Sequence, residues 1–68
     1  MRYADYDGVI YRSKDVRGSE IWGEKLENGK WVPGNNHFAV QREASVIDED
    51  EAREIAGDQW PKESAPAA

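Results

Sequence analysis

The densest run of ionisable side chains is Asp48-Glu49-Asp50-Glu51, followed at short intervals by Glu54, Asp58 and Trp60. Adjacent carboxylates suggest either a divalent-cation site or a negatively charged docking face. On a helix, however, successive side chains fan out instead of converging on one point. Each member of the run also has a local reason to be there. Asp48 suits an N-cap, Glu51 three residues later suits a capping box, and Glu49, Asp50 and Glu51 complement the positive end of a helix dipole. The cation reading therefore gives way to capping chemistry, with an acidic face left over for a basic partner. Glu49, Asp50, Glu51, Glu54 and Asp58 are its candidate protein-binding residues. Trp60, next to Pro61, either closes the core or serves that face as an aromatic anchor.

Other constellations point to less chemistry. Asp5-Tyr6-Asp7-Gly8 resembles part of a calcium loop, but aligning Gly8 with the loop glycine puts Tyr3 and Lys14 where carboxylate ligands are needed. His37 is the single histidine and there is no cysteine, so a transition-metal site would have carboxylates as its remaining ligands. Ser13, Ser19, Ser45 and Ser64 stand in no nucleophile–base frame. No enzyme activity, metal or cofactor is expected. Tyr3, Tyr6, Tyr11, Trp22, Trp31 and Phe38 have two readings: core of a very small domain, or base-stacking surface with Arg2, Arg12, Lys14 and Arg17 beside it.

Charge separates the partner classes. The 68-residue chain carries a net −5, and it is unevenly placed. Residues 1–42 hold seven basic and six acidic side chains, whereas residues 43–63 hold two basic and eight acidic ones. General nucleic-acid binding draws its affinity from a Lys/Arg-rich face, so nucleic acid is the less expected partner and a larger protein with a basic surface the more expected one. The absence of cysteine, of a long apolar run and of a signal-peptide core points to a cytoplasmic protein. Oligomeric state is not legible.

The elements that must position these residues follow from turn and cap signals. Asn28-Gly29 between two part-apolar arms predicts a type I′ hairpin, because both central residues need positive φ. Its pairing sets Glu27 against Lys30, Leu26 against Trp31, Lys25 against Val32 and Trp22 against Asn35, with Trp22, Leu26 and Trp31 on one face. Asp7-Gly8 predicts a second hairpin that pairs Tyr6 with Val9 and Ala4 with Tyr11. Ile10 on the opposite face implies that this face is covered as well. Residues 13–19 read as a loop, His37–Gln41 as a strand, and Glu43–Ile47 as either strand or irregular approach to a helix. Asp48 opens that helix, Ala52, Ile55 and Ala56 give it a narrow apolar stripe, and Gly57 stops it.

The expected fold is α+β: a small twisted antiparallel sheet of four to five short strands with one C-terminal helix. It fills a single domain over residues 1–60, followed by a disordered tail over 61–68. An SH3-like, partly closed barrel is the alternative if 37–41 curls back onto 9–13.

Val9-Ile10-Tyr11-Arg12, Trp22, Gly29-Lys30-Trp31-Val32-Pro33 and Ile47-Asp48-Glu49-Asp50-Glu51-Ala52 together resemble a pattern in short bacterial and prophage-type proteins. In size and acidity the chain is also similar to phage-encoded anti-CRISPR proteins. The acidic last third and an aromatic sheet with nothing catalytic lead to the expectation of a non-enzymatic binding protein, in its most concrete form a phage or mobile-element inhibitor that occupies a basic surface of a host nucleic-acid-handling complex. The alternatives are a small single-stranded nucleic-acid-binding β domain and an accessory module of unspecified partner.

Overall fold

The computed structural model describes residues 1–61. Five strands form one antiparallel sheet: β1 (Tyr3–Tyr6), β2 (Val9–Val16), β3 (Ser19–Glu27), β4 (Lys30–Pro33) and β5 (Ser45–Ile47). Helix α1 (His37–Glu43) lies between β4 and β5; helix α2 (Glu49–Ala56) follows and runs into a 3-10 turn, Gly57–Gln59. Spatial order is β4-β3-β2-β1-β5. The first four strands are a meander, and β5 returns to pair with the free side of β1. The fold is the expected α+β domain.

Both expected hairpins form in the expected register. Tyr6 pairs with Val9 and Ala4 with Tyr11, while Glu27 pairs with Lys30, Leu26 with Trp31 and Lys25 with Val32. Asn28 and Gly29 take φ of 53° and 77°, as a type I′ turn requires. A third hairpin occupies the expected loop at 13–19. There β2 and β3 continue as strands, and Arg17-Gly18 turns the chain with φ of 53° and 83°. The left-handed region disfavours a β-carbon, which is why Arg-Gly is a weak turn signal compared with Asn-Gly.

Two further expectations are corrected. His37–Gln41 is helical, and the SH3-like closure that needed a strand there does not occur. The alternation of Phe38 and Val40 is equally the start of a helical stripe: Val40 is buried, the partly buried Ala44 packs four residues later, and Ala39, Gln41 and Arg42 carry no β preference. Asn36 accepts the first helical bond through its carbonyl, from Val40 N–H at 2.8 Å, and its side-chain amide donates to the Tyr11 hydroxyl at 3.1 Å. Two turns of helix are marginal alone; docking against the sheet holds them.

The second correction concerns Trp22. Arg12 pairs with Glu24, yet Lys14 pairs with Ile21, so β3 carries one extra residue opposite Ser13. A bulge of this kind shifts the alternation of side chains. Trp22, only 3% exposed, therefore points to the face opposite Leu26 and Trp31 and does not pair with Asn35. Regular pairing with β4 ends at Glu24 and Pro33. Beyond it, Gly34 N–H donates to Gly23 O at 2.9 Å and Trp22 N–H donates to His37 Nδ1 at 3.0 Å. His37 is thus a backbone cap for β3.

The bulge divides the aromatics between two small cores. On one face Ala4, Tyr11 and Trp22 pack with Val40 of α1, with Tyr6 and Ala44 alongside. On the other lie Ile10, Tyr3 and Trp31, roofed by Ala52 of α2 and by Trp60. The cover implied by Ile10 on this second face is α2. Pro61 is buried and belongs to the body; the rest of the expected tail, residues 62–68, lies outside the described residues.

Candidate functional site

Asp48 is the N-cap of α2, and its carboxylate accepts from Glu51 N–H at 2.8 Å. A Ser, Thr, Asp or Asn cap of this kind is worth about 1 kcal/mol. The chain reaches Asp48 directly from β5, so the start of the helix is fixed by strand pairing on one side and by its cap on the other. Gly57 ends the helix at φ 57°, as expected. Ala52 is fully buried while Glu49, Asp50, Glu51, Glu54 and Asp58 are exposed. Four of the sequence-predicted acids therefore lie on α2 and Asp58 on the 3-10 turn that follows it, all exposed.

They are not equivalent. Glu49 accepts from Arg53 through both Nε (3.0 Å) and a terminal nitrogen (2.7 Å), a pairing of neighbours one helical turn apart. Among the described residues Asp50, Glu51 and Glu54 of the helix and Asp58 of the 3-10 turn after it form no ion pair. Arg53 also lies 5.1 Å from the centre of the Trp60 ring, linking the acidic helix to the aromatic cluster beneath it.

That cluster is where the structure places Trp60. Its ring sits 5.5 Å from Tyr3 and 5.7 Å from Trp31, edge-on to the latter, with Tyr3 and Trp31 6.1 Å apart. The three rings form a closed triangle on the α2 face, in the geometry aromatic clusters favour. Burial and then the Glu49 charge push the Tyr3 phenol above its ordinary pKa. Trp31 Nε1 is buried with no hydrogen-bond partner among the described residues. Trp60 is half-buried and roofs this second core, the first of its two expected readings.

The four cations proposed as a nucleic-acid stripe are dispersed. Arg12 donates to Glu24 at 2.6 Å and stands 4.4 Å over the Trp31 ring, on the α2 face. Arg2 lies across the sheet near Trp22, where it holds Glu20 with Nε at 2.8 Å. The Arg2 hydrogen bond pulls the Glu20 carboxyl down to about 2; burial opposes it, and the Ser13 hydroxyl and the Arg2 charge add to it. Lys14 and Arg17 are exposed near the far end of the β2–β3 hairpin. Ion pairing and the two-faced sheet thus prevent the four from forming one cationic surface.

A feature absent from the sequence-based expectations is an open groove of about 590 Å³ on the α1 side. It runs between Arg2, Glu20, Trp22, His37, Phe38 and Val46. Phe38 is 74% exposed and Val46 52% exposed, and both line this one groove, where adjacent exposed apolar side chains carry more meaning than scattered ones. The strand expected at 37–41 concealed it, since Phe38 and Val40 then share one face, whereas in the helix Val40 is buried and Phe38 exposed. Among the described residues no group of three His, Cys, Asp or Glu side chains is placed to hold a metal ion. No helix there is long and apolar enough to cross a membrane.

No protein-family model matches this chain, and no curated protein or solved structure matches it. Function is therefore argued from the molecule itself.

Proposed function

We propose that this chain is a non-enzymatic, acidic protein-binding module that acts by occupying a basic surface of a larger partner. The observation that carries the reading is the set Asp50, Glu51, Glu54 and Asp58: exposed, free of ion pairs among the described residues, with the first three on a helix capped at both ends and Asp58 on the 3-10 turn that follows it. Fixed carboxylates can stand where phosphates would sit in a basic groove, steering association and lowering tolerance for salt. In its most concrete form the partner is a host nucleic-acid-handling complex and the chain a phage or mobile-element inhibitor of it. The grooves of this body are open and shallow, and Ser13 is hydrogen-bonded in the sheet and His37 to β3, which supports binding over catalysis.

The test is the triple variant Asp50→Lys, Glu54→Lys, Asp58→Lys, which leaves the Asp48 cap and the Glu49–Arg53 pair intact. Wild-type and variant proteins would be used to capture partners from host lysate across a salt series, with mass-spectrometric identification. The expected outcome is a basic protein retained by the wild type at low salt and lost by the variant. Equal retention by both proteins, with equal salt dependence, refutes the acidic-face reading.

A further inference from the structure

The two edges of the sheet are guarded very differently. An open edge presents unpaired N–H and C=O groups, and proteins usually blunt such edges with lysine, proline or a bulge. The β4 edge has Lys30 at one end and Pro33 at the other. The β5 edge is Ser45-Val46-Ile47, protected by its shortness but by no lysine, proline or bulge.

The direction of its backbone groups follows from the ladder. Ser13 N–H donates to Arg2 O at 2.8 Å, one step beyond the Tyr3–Arg12 pair. Bonded and non-bonded pairs alternate in an antiparallel ladder, so Arg2, Ala4 and Tyr6 direct their backbone groups to β2. Tyr3 and Asp5 then direct theirs to β5, where they meet Ile47 and Ser45. Val46, opposite Ala4, is left with its N–H and C=O pointing away from the sheet. Its side chain shares the Ala4 face and lines the groove with Phe38. Chemically, an unpaired backbone donor and acceptor stand beside an exposed apolar groove.

Charge selects the occupant. Immediately after β5 come the exposed Asp48, Glu49, Asp50 and Glu51, with Arg53 paired to Glu49 as the one nearby cation of that helix. At the other end Glu43 lies 3.7 Å from Arg42, which balances it. One end of the strand is therefore strongly negative and the other near neutral. A second copy would bring together two chains of net −5, whereas a basic segment meets the same carboxylates with the opposite sign.

We propose that the β5 edge is a docking site for an extended peptide segment of a partner protein, which adds as a sixth strand through Val46. Its alternate apolar side chains lie over Val46 and Phe38, and a Lys or Arg reaches the Asp48–Glu51 end. Main-chain bonding supplies affinity and the alternate side chains supply selectivity, as in strand addition generally. The proposal rests on the reading that the partner is a basic protein, and it names the surface that partner's chain would meet.

The probe is the capped heptapeptide Lys-Val-Thr-Val-Thr-Val-Lys, whose two lysines serve either strand direction. It is titrated into the ¹⁵N-labelled full chain to about 1 mM, a range that detects weak complexes. Saturating peptide should slow hydrogen exchange at the Val46 amide selectively, because the Ser45 and Ile47 amides are already paired. Replacing both peptide lysines by glutamate reverses their exposed contacts and should weaken binding about tenfold. Val46→Pro removes the outward N–H together with the Val46 isopropyl group, at an edge position where proline is tolerated, and should weaken binding at least about tenfold. Val46→Thr keeps the outward N–H but loses one apolar methyl, and should bind more weakly than the wild type yet more tightly than Val46→Pro. Unchanged Val46 exchange, equal binding of the lysine and glutamate peptides, or concentration-dependent Val46 protection without peptide would each overturn the site; the last would indicate self-pairing. Should Val46→Pro not fold, the exchange result on the wild type decides alone. Val46 protection with partner capture unaffected by the α2 triple variant supports the edge site and removes only the acidic helix face. Unprotected Val46 with capture lost in that variant removes only the edge site.

Discussion

Arg12 offers the sharpest test of how this small body is held together. Its guanidinium donates to Glu24 at 2.6 Å and lies 4.4 Å over Trp31, and its side chain is 22% exposed. Replacement by alanine removes three contributions. The partly exposed ion pair is worth up to about 1 kcal/mol. The cation–ring contact is worth about 1 kcal/mol in a half-desolvated setting. The covered methylenes add roughly another 1 kcal/mol or more, at about 0.8 kcal/mol per fully buried group. Relief from ordering a long side chain returns roughly 1 kcal/mol, leaving a net loss of about 2 kcal/mol. In a domain of this size such a loss lowers Tm by about 10 °C. Arg12→Lys keeps the charge but loses the planar fork, and should fall about midway. Urea denaturation followed by Trp fluorescence measures all three proteins, and adding Glu24→Gln with its double mutant isolates the pair, expected to couple by about 0.5–1 kcal/mol. A loss below about 0.5 kcal/mol for Arg12→Ala, in the range of ordinary surface changes, would refute a structural role for Arg12 and return it to the exposed cations.

Two further outcomes are expected. Arg17 holds φ of 53° at the β2–β3 turn; Arg17→Asn, which tolerates that region, should stabilise the fold by about 0.5–1 kcal/mol in the same denaturation assay. Glu20 is pulled from an ordinary 4.5 down to about 2 by Arg2. A depressed carboxyl contributes stability that is complete above its unfolded pKa and is lost as pH falls through the folded one. Its contribution should therefore fade between about pH 4.5 and pH 2, and Glu20→Gln should flatten the pH dependence of stability in that window.

What was legible in the sequence was what local chemistry decides. Asn28-Gly29 and Asp7-Gly8 set both turn and register, and Asp48 with Gly57 bounded α2, because each signal acts within a few residues. The misses are non-local. Phe38 and Val40 satisfy a strand and a helix equally over five residues, and the choice is made by Val40 and Ala44 docking on Tyr11 and Trp22. Arg17-Gly18 turns the chain although Arg disfavours positive φ, because two long strands converge on it. The extra residue at Trp22-Gly23 has no counterpart in periodicity, yet it sends Trp22 and Trp31 to opposite faces. The acidic residues are exposed, but Arg53 pairs with Glu49, so Asp50, Glu51, Glu54 and Asp58 are the ones without an ion pair among the described residues. The Val46 edge was hidden by the uncertainty over Glu43–Ile47.

The two-faced sheet has a consequence for how the chain comes into being. Its meander, residues 3–33, is built from neighbours in sequence and can zip up locally, with hairpins closing on a microsecond scale. Both roofs and the fifth strand, however, come from residues 37–61. The meander, with apolar side chains on both of its sides, is therefore synthesised before the residues that cover either one. β5 must then travel back to β1, and only that long-range closure brings α2 over Ile10 and Trp31. The last third of the chain thus carries the acidic charge and also completes the domain, so surface chemistry and folding are finished by the same segment in the same step.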